Sequence, residues 1–187
     1  MTGLGRRTEG ALTTLGRMAD PGLLVHLAKI ARFWSYAHVR PRRRMTAGPG
    51  LRMSPLASLR NGERILLGRD VHVGERCYLW VGDSTGRIIM GDQVLLAPEV
   101  FITASNYGVV HGVPVMTQPK READVVIGSD VWLGARVVVL PGVTIGDGAV
   151  VGAGSVVSRS LPAQCIAVGS PAHVVAWREG YVPAAEP

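Results

Sequence analysis

Residues 125–157 read VVIGSDVWLGARVVVLPGVTIGDGAVVGAGSVV, and an aliphatic side chain falls on every sixth position: Ile127, Leu133, Val139, Ile145, Val151 and Val157. A helix repeats every 3.6 residues and a strand every two, so the period belongs to neither. It fits a chain that makes a short strand, turns a corner and repeats. The residue four places after each anchor is also small or apolar, as Val131, Val137, Val143, Ala149 and Ser155. Each repeat therefore presents two side chains to an interior. Glycine follows four of the anchors (Gly128, Gly134, Gly146, Gly152), and its access to positive φ suits the corner. This is the six-residue pattern of a parallel β-helix. The expected fold class is an all-β solenoid with chemistry on its surface or between its copies.

The same register continues upstream with two slips. Leu67, Val73 and Leu79 are six apart, as are Met90, Leu96 and Ile102, but Leu79 to Met90 is 11 and Ile102 to Ile127 is 25. The turn-rich Gly82-Asp83-Ser84-Thr85-Gly86 absorbs the first slip. Residues 104–124 read as a loop thrown out of the column, and such insertions commonly land on a binding face. The expected organisation is an arm over 1–45, a β-helix over 46–178 carrying the loop 104–124, and a tail over 179–187.

Charge is divided unevenly. The 187-residue chain has a net charge of +6, of which residues 1–45 carry +7 and the remainder −1. A near-neutral body lacks the basic stripe that a nucleic-acid-binding face needs. Cys77 falls four after Val73, an inward slot, and reads with Cys165 as a free thiol rather than a disulfide partner. No secretory leader and no run of about 20 apolar residues is evident, so a cytoplasmic location is expected.

In the arm, Asp20-Pro21 is a helix start, and Leu23, Leu24, Leu27, Ile30, Ala31 and Trp34 recur at helical spacing through about Val39. Arg40-Pro41-Arg42-Arg43-Arg44 ends the helix. Two readings stay open: a cap on the solenoid or a partner subunit, or a weak contact with an anionic membrane surface.

The segment 125–176, with PGVTIGDGAVVGAGSVV followed by GSPA, closely resembles the hexapeptide-repeat acyltransferases, such as galactoside and maltose O-acetyltransferases and the virginiamycin-type xenobiotic acetyltransferases. With the looser stretch from about Arg64 it covers some three fifths of the chain; the first 45 residues lie outside it. The resemblance implies a left-handed helix of about five coils, against the usual right-handed preference. It also implies a homotrimer with CoA thioester and a hydroxyl-bearing acceptor held where prisms meet. By motif, Trp132 is the aromatic beside the pantetheine channel, and Ala135 and Ala153 mark where backbone meets the pantetheine arm. Ser158 and Arg159 fall where relatives carry Thr-Lys, a place facing CoA phosphate. His173 replaces the usual Lys or Arg after GSPA, and an imidazole is a weaker phosphate partner near neutrality. Ala176 replaces a position that is basic in some relatives, and Arg178 lies two residues on.

In the loop, relatives place a histidine general base where this chain has Tyr107, within Ala104-Ser105-Asn106-Tyr107-Gly108. A phenol, with an ordinary pKa of about 10, is a poor base at neutral pH. Asn106, Tyr107 and His111 are therefore the candidate catalytic residues, with His72 behind them. Trp132 is read as pointing outward to an interface, Trp80 and Trp177 as covering a prism end in preference to stacking on adenine, and Gln118-Pro119 as structural. A zinc carbonic anhydrase on the same prism needs three converging histidines, which His72 and His111 do not supply, so no metal is expected. The resemblance points to an acetyl-CoA-dependent O-acyltransferase acting on a sugar, a polysaccharide precursor or a glycosylated small molecule; the alternative is a noncatalytic trimeric scaffold.

Overall fold

The sixfold register winds the chain into a left-handed parallel β-helix with one N-terminal helix, in a computed structural model that describes residues 20–183. The helix α1 (Pro21–Trp34) begins as its sequence dictates, with the Asp20 carboxylate accepting from the Gly22 N–H at 2.8 Å and proline in the first turn. A π-helical turn follows over Ser35–Val39. The chain divides into two units, Met1–Tyr36 and Ala37–Pro187.

The second unit is the column. Its first coil holds β1 (Thr46–Ala47), β2 (Arg52–Met53) and β3 (Ser58–Arg60). The second holds β4 (Ile65–Leu67), β5 (His72–Val73) and β6 (Tyr78–Trp80), and the third β7 (Ile88–Met90), β8 (Leu95–Leu96) and β9 (Phe101–Thr103). An excursion, β10 (Ser105–Tyr107) and β11 (Lys120–Glu122), leads into the fourth coil of β12 (Val125–Ile127), β13 (Trp132–Leu133) and β14 (Val138–Val139). The fifth is β15 (Thr144–Ile145), β16 (Val150–Val151) and β17 (Val156–Val157), and the chain ends in β18 (Cys165–Val168) and β19 (His173–Trp177). Parallel pairing stacks β1, β4, β7, β12 and β15 into a first face, β2, β5, β8, β13, β16 and β18 into a second, and β3, β6, β9, β14 and β17 into a third. The antiparallel β19 closes the second face beside β18.

Both inward positions of the repeat are occupied as the spacing demands. The six anchors from Ile127 to Val157 are at most 1% exposed, as are Val131, Val137, Val143, Ala149 and Ser155. Burying each large aliphatic contributes about 1.5–3 kcal/mol. Ser155 survives inside because its hydroxyl donates to the Gly152 carbonyl and accepts from the Gly169 N–H. Cys77 and Cys165 are buried free thiols, and burial raises both above the usual thiol pKa.

The glycine expectation needs correcting. Positive φ belongs to the residue two places further on, as at Arg136 and Gly148, and not to the glycine after the anchor. Those glycines are required by close stacking instead: a Cβ on Gly134 would lie 2.7 Å from the Ala153 nitrogen, and one on Gly146 2.4 Å from the Ala163 nitrogen. Coils spaced like neighbouring strands leave no room there for a side chain.

The first coil is finished by Ala37–Arg44. Ala37 and Pro41 are buried, and the Arg42 guanidinium donates to the carbonyls of Ser54 and Ala57. At the other end Trp177 packs against the core and on Tyr181, as expected of an end cover. Trp80 does not cover an end. It stands next to inward Leu79 in the second coil, so alternation turns it out of the column's flank.

Candidate active site

Aligned positions on the first, second and third faces reveal where the repeat is broken. From first to second face the step is always six (Ala47–Met53, Leu67–Val73, Met90–Leu96), and from second to third it is six again (Met53–Leu59, Val73–Leu79, Leu96–Ile102). Between the third and first faces it is 8 from Leu59 to Leu67, 11 from Leu79 to Met90 and 25 from Ile102 to Ile127. Every extra residue therefore emerges on one edge of the prism.

The largest excursion is a hairpin and not an unstructured loop. β10 and β11 pair antiparallel, with Asn106 opposite Arg121 and Tyr107 opposite Lys120, while Ala104 stays in the core. The middle excursion, residues 82–86, turns four backbone N–H groups onto one carboxylate. Glu122 accepts from Asp83 at 2.6 Å, Ser84 at 3.1 Å, Thr85 at 2.6 Å and Gly86 at 2.8 Å. Burial alone would raise its pKa, but these donors prevail and hold it at about 2. Lys120 from the same strand pairs with Asp83, which raises the ammonium pKa, and its Nζ lies 5.7 Å from the Tyr107 ring centroid. One excursion thus grips the base of the next.

Beneath the hairpin lies a cleft of about 250 Å³, walled by Arg60, Trp80, Phe101 and Thr103 and bordered by Asp83, Asn106, Tyr107 and Lys120. The Arg60 guanidinium stacks 4.6 Å from the Trp80 ring centroid, and Phe101 meets Trp80 edge-on at 5.3 Å. The Trp80 indole N–H is buried with no hydrogen-bond partner. An aromatic wall, an orphan donor and charged and amide groups at the rim suit a polar ring-shaped ligand.

A second groove runs along the edge between the second and third faces. Ala135, Ala153 and Gly154 form its floor, with Pro98, Glu99 and Arg136 beside them. Glu99 holds Arg136 at 2.6 Å and Arg76 at 3.2 Å, and the Arg136 hydrogen bond lowers the Glu99 pKa. No floor side chain exceeds a methyl group.

The structure thus brings Asn106 and Tyr107 to the cleft, and Ala135 and Ala153 to the groove. His111 is exposed, outside the residues lining either recess; Gln118 accepts from the Val110 N–H and donates to the carbonyls of Val110 and Val113, fixing the backbone around it. His72 is away from the hairpin, on β5, where register places it in an outward row with Leu95, Trp132 and Val150. Trp132 is 50% exposed and Leu95 42%, so this row presents apolar surface. Exposed Ser158 and Arg159 follow β17 and lie one face away from Ala153. His173 opens β19 opposite Val168, whose side chain abuts Gly152 at the groove's end. Arg60, Phe101, Lys120 and Glu122 are unmarked in the sequence reading, and Trp80 is there placed at a prism end. Arg60, Trp80 and Thr103 stand in one row, each directly after an inward anchor and before an excursion, which is the signal that marks them. Among the described residues no group of three or more His, Cys, Asp or Glu is placed to hold a metal ion.

Comparison with known proteins agrees with this fold. The family model "Bacterial transferase hexapeptide (six repeats)" matches residues 124–159. The "Putative lipopolysaccharide biosynthesis O-acetyl transferase" of Escherichia coli (strain K12) is 36% identical over 138 residues, covering 70% of this chain and 67% of that protein. The chain belongs to the hexapeptide-repeat acetyltransferase family. The galactoside O-acetyltransferase of the same organism is 34% identical over 118 residues, 58% of this chain. The chain spans only about half of that relative's length, 54%. A crystal structure of galactoside acetyltransferase in complex with coenzyme A superposes with a TM-score of 0.60 at 29% identity, covering 71% of this chain and 64% of that one.

Proposed function

We propose that this hexapeptide-repeat protein is an O-acetyltransferase that moves an acyl group from acetyl-CoA to a hydroxyl of a sugar, a polysaccharide precursor or a glycosylated small molecule. The observation that carries this reading is the pairing of a straight, small-residue groove with a bespoke aromatic cleft on the neighbouring edge of one prism. A groove whose floor stops at methyl groups fits the extended arm of a CoA thioester, which supplies the activated acyl group. Ala135 and Ala153 would border the arm, Trp132 would flank it, and Ser158, Arg159 and His173 would be the polar partners at its phosphate end.

The acceptor belongs in the hairpin cleft. There Trp80 offers its ring and its unpaired N–H, and Asn106 and Lys120 offer donors at the rim. His111 is the general base of this reading: swinging in from its exposed place on the hairpin, it takes the acceptor's hydroxyl proton as the oxygen attacks the thioester, and passes it to the departing CoA thiolate. Tyr107 positions the acceptor rather than deprotonating it.

Cleft and groove open on different edges, separated by the third face, whose strands are two or three residues wide. Their cooperation is met by a homotrimer in which one chain's hairpin overhangs its neighbour's groove. The outward row of Leu95 and Trp132 is the apolar surface available for that contact.

Incubation with acetyl-CoA and a panel of sugar acceptors, following thiol release, tests the reading, with calorimetry of CoA binding beside it. Acceptor-dependent release supports it; silence across the panel with no CoA binding overturns it.

A further inference from the structure

The residues named at the cleft and the groove include none from α1, yet the helix surface is organised. At 100° per residue, Leu23, Leu24, Leu27, Ile30, Ala31 and Trp34 share an arc roughly 120° wide, and the rest of the surface carries His26, Lys29 and Arg32 together with exposed Val25 and Phe33. None of its residues is buried; Leu24 is 57% exposed, Leu27 50%, Ile30 48% and Trp34 45%. Fourteen residues make a helix of about 21 Å, too short to cross a bilayer, and no described helix is long and apolar enough to do so.

Charge decides what such an arc is for. Residues 21–62 contain eight Lys or Arg and no Asp or Glu. Arg40, Arg43 and Arg44, which follow the helix in the chain, are exposed, whereas Arg42 is engaged with backbone carbonyls. Asp20, directly before the segment, caps the helix. Packing the same arc against a second copy would cover the leucines but leave the cations unanswered, since the segment has no carboxylate to pair them. An anionic headgroup layer supplies the missing charge, and its acyl boundary accepts the apolar arc.

We infer that α1 lies in the plane of an anionic lipid surface, its leucine-rich arc in the acyl boundary and its cations among the headgroups. This docks the transferase at a membrane without a spanning segment, whatever acceptor the cleft takes.

The test is co-sedimentation of the full chain with vesicles of phosphatidylcholine alone or mixed with phosphatidylglycerol. The expected result is binding at least about tenfold tighter to the anionic vesicles and weakened by salt. Leu27→Glu with Ile30→Glu abolishes it, and Arg43→Glu with Arg44→Glu lowers it about tenfold or more. Circular dichroism melts matching the parent protein establish that both variants retain the column. Equal affinity for the two vesicle types, no pelleting, or full pelleting by the leucine-isoleucine variant overturns the inference. So does light scattering in which that variant loses oligomer mass while the parent ignores vesicles, which makes α1 a subunit contact.

Discussion

Two edges of the same prism follow opposite rules. Between the second and third faces every coil turns its corner in the same number of residues, and the product is a straight groove floored by Ala135, Ala153 and Gly154. Between the third and first faces the corner lengthens in three successive coils, and the product is a cleft built from unlike parts: Arg60, Trp80, Phe101 and a hairpin. An unvarying edge suits a ligand of unvarying shape, such as a CoA arm. A variable edge suits an acceptor that differs from one enzyme to the next.

The contrast can be broken most directly at the hairpin. His111→Ala should lower kcat by about 10²–10⁴-fold while calorimetric CoA affinity stays put, and Tyr107→Phe should retain most turnover. Unchanged turnover in His111→Ala would move the base to another residue. Glu122→Ala strips four backbone donors of their shared acceptor. Its cost should be about 2 kcal/mol in urea unfolding, together with a fall in turnover as the hairpin loses its grip. On the straight edge, Ala153→Leu should raise KM for acetyl-CoA about tenfold and leave the thermal midpoint nearly unchanged, since Ala153 is exposed.

The same cradle gives a pH dependence. Glu122 has a folded pKa of about 2 against 4.5 for the free side chain. The stability it contributes is therefore complete above pH 4.5 and lost as pH falls towards 2. Glu122→Gln should abolish that part of the acid sensitivity, visible as a flatter stability profile below pH 4.5 in the variant.

The column was legible because burial follows directly from period: Ile127 through Val157 had to line an interior, and they do. The slips at 79–90 and 102–127 marked the right places, since extra residues between two anchors can only leave the column. What they build was less legible. Ser105–Tyr107 and Lys120–Glu122 show no apolar alternation, because their pairing is set by Gln118 and by the capture of Glu122 rather than by a buried face. The cradle of Glu122 is made of backbone N–H groups, which any residue supplies, so Gly82–Gly86 announced a turn and nothing more. Trp80 was misplaced because a coil position, invisible in a lone aromatic, decides whether it covers an end or lines a flank. Left-handedness came from the family resemblance, for period alone carries no sense of rotation.

The confinement of all added length to one corner has a consequence for change over time. Lengthening or trimming that corner leaves the neighbouring inward anchors in register, as the 8-, 11- and 25-residue steps already do. A lineage can therefore exchange one hairpin for another and acquire a new specificity without renegotiating the scaffold, and grafting a foreign excursion between Ile102 and Ile127 is the natural way to redesign this protein.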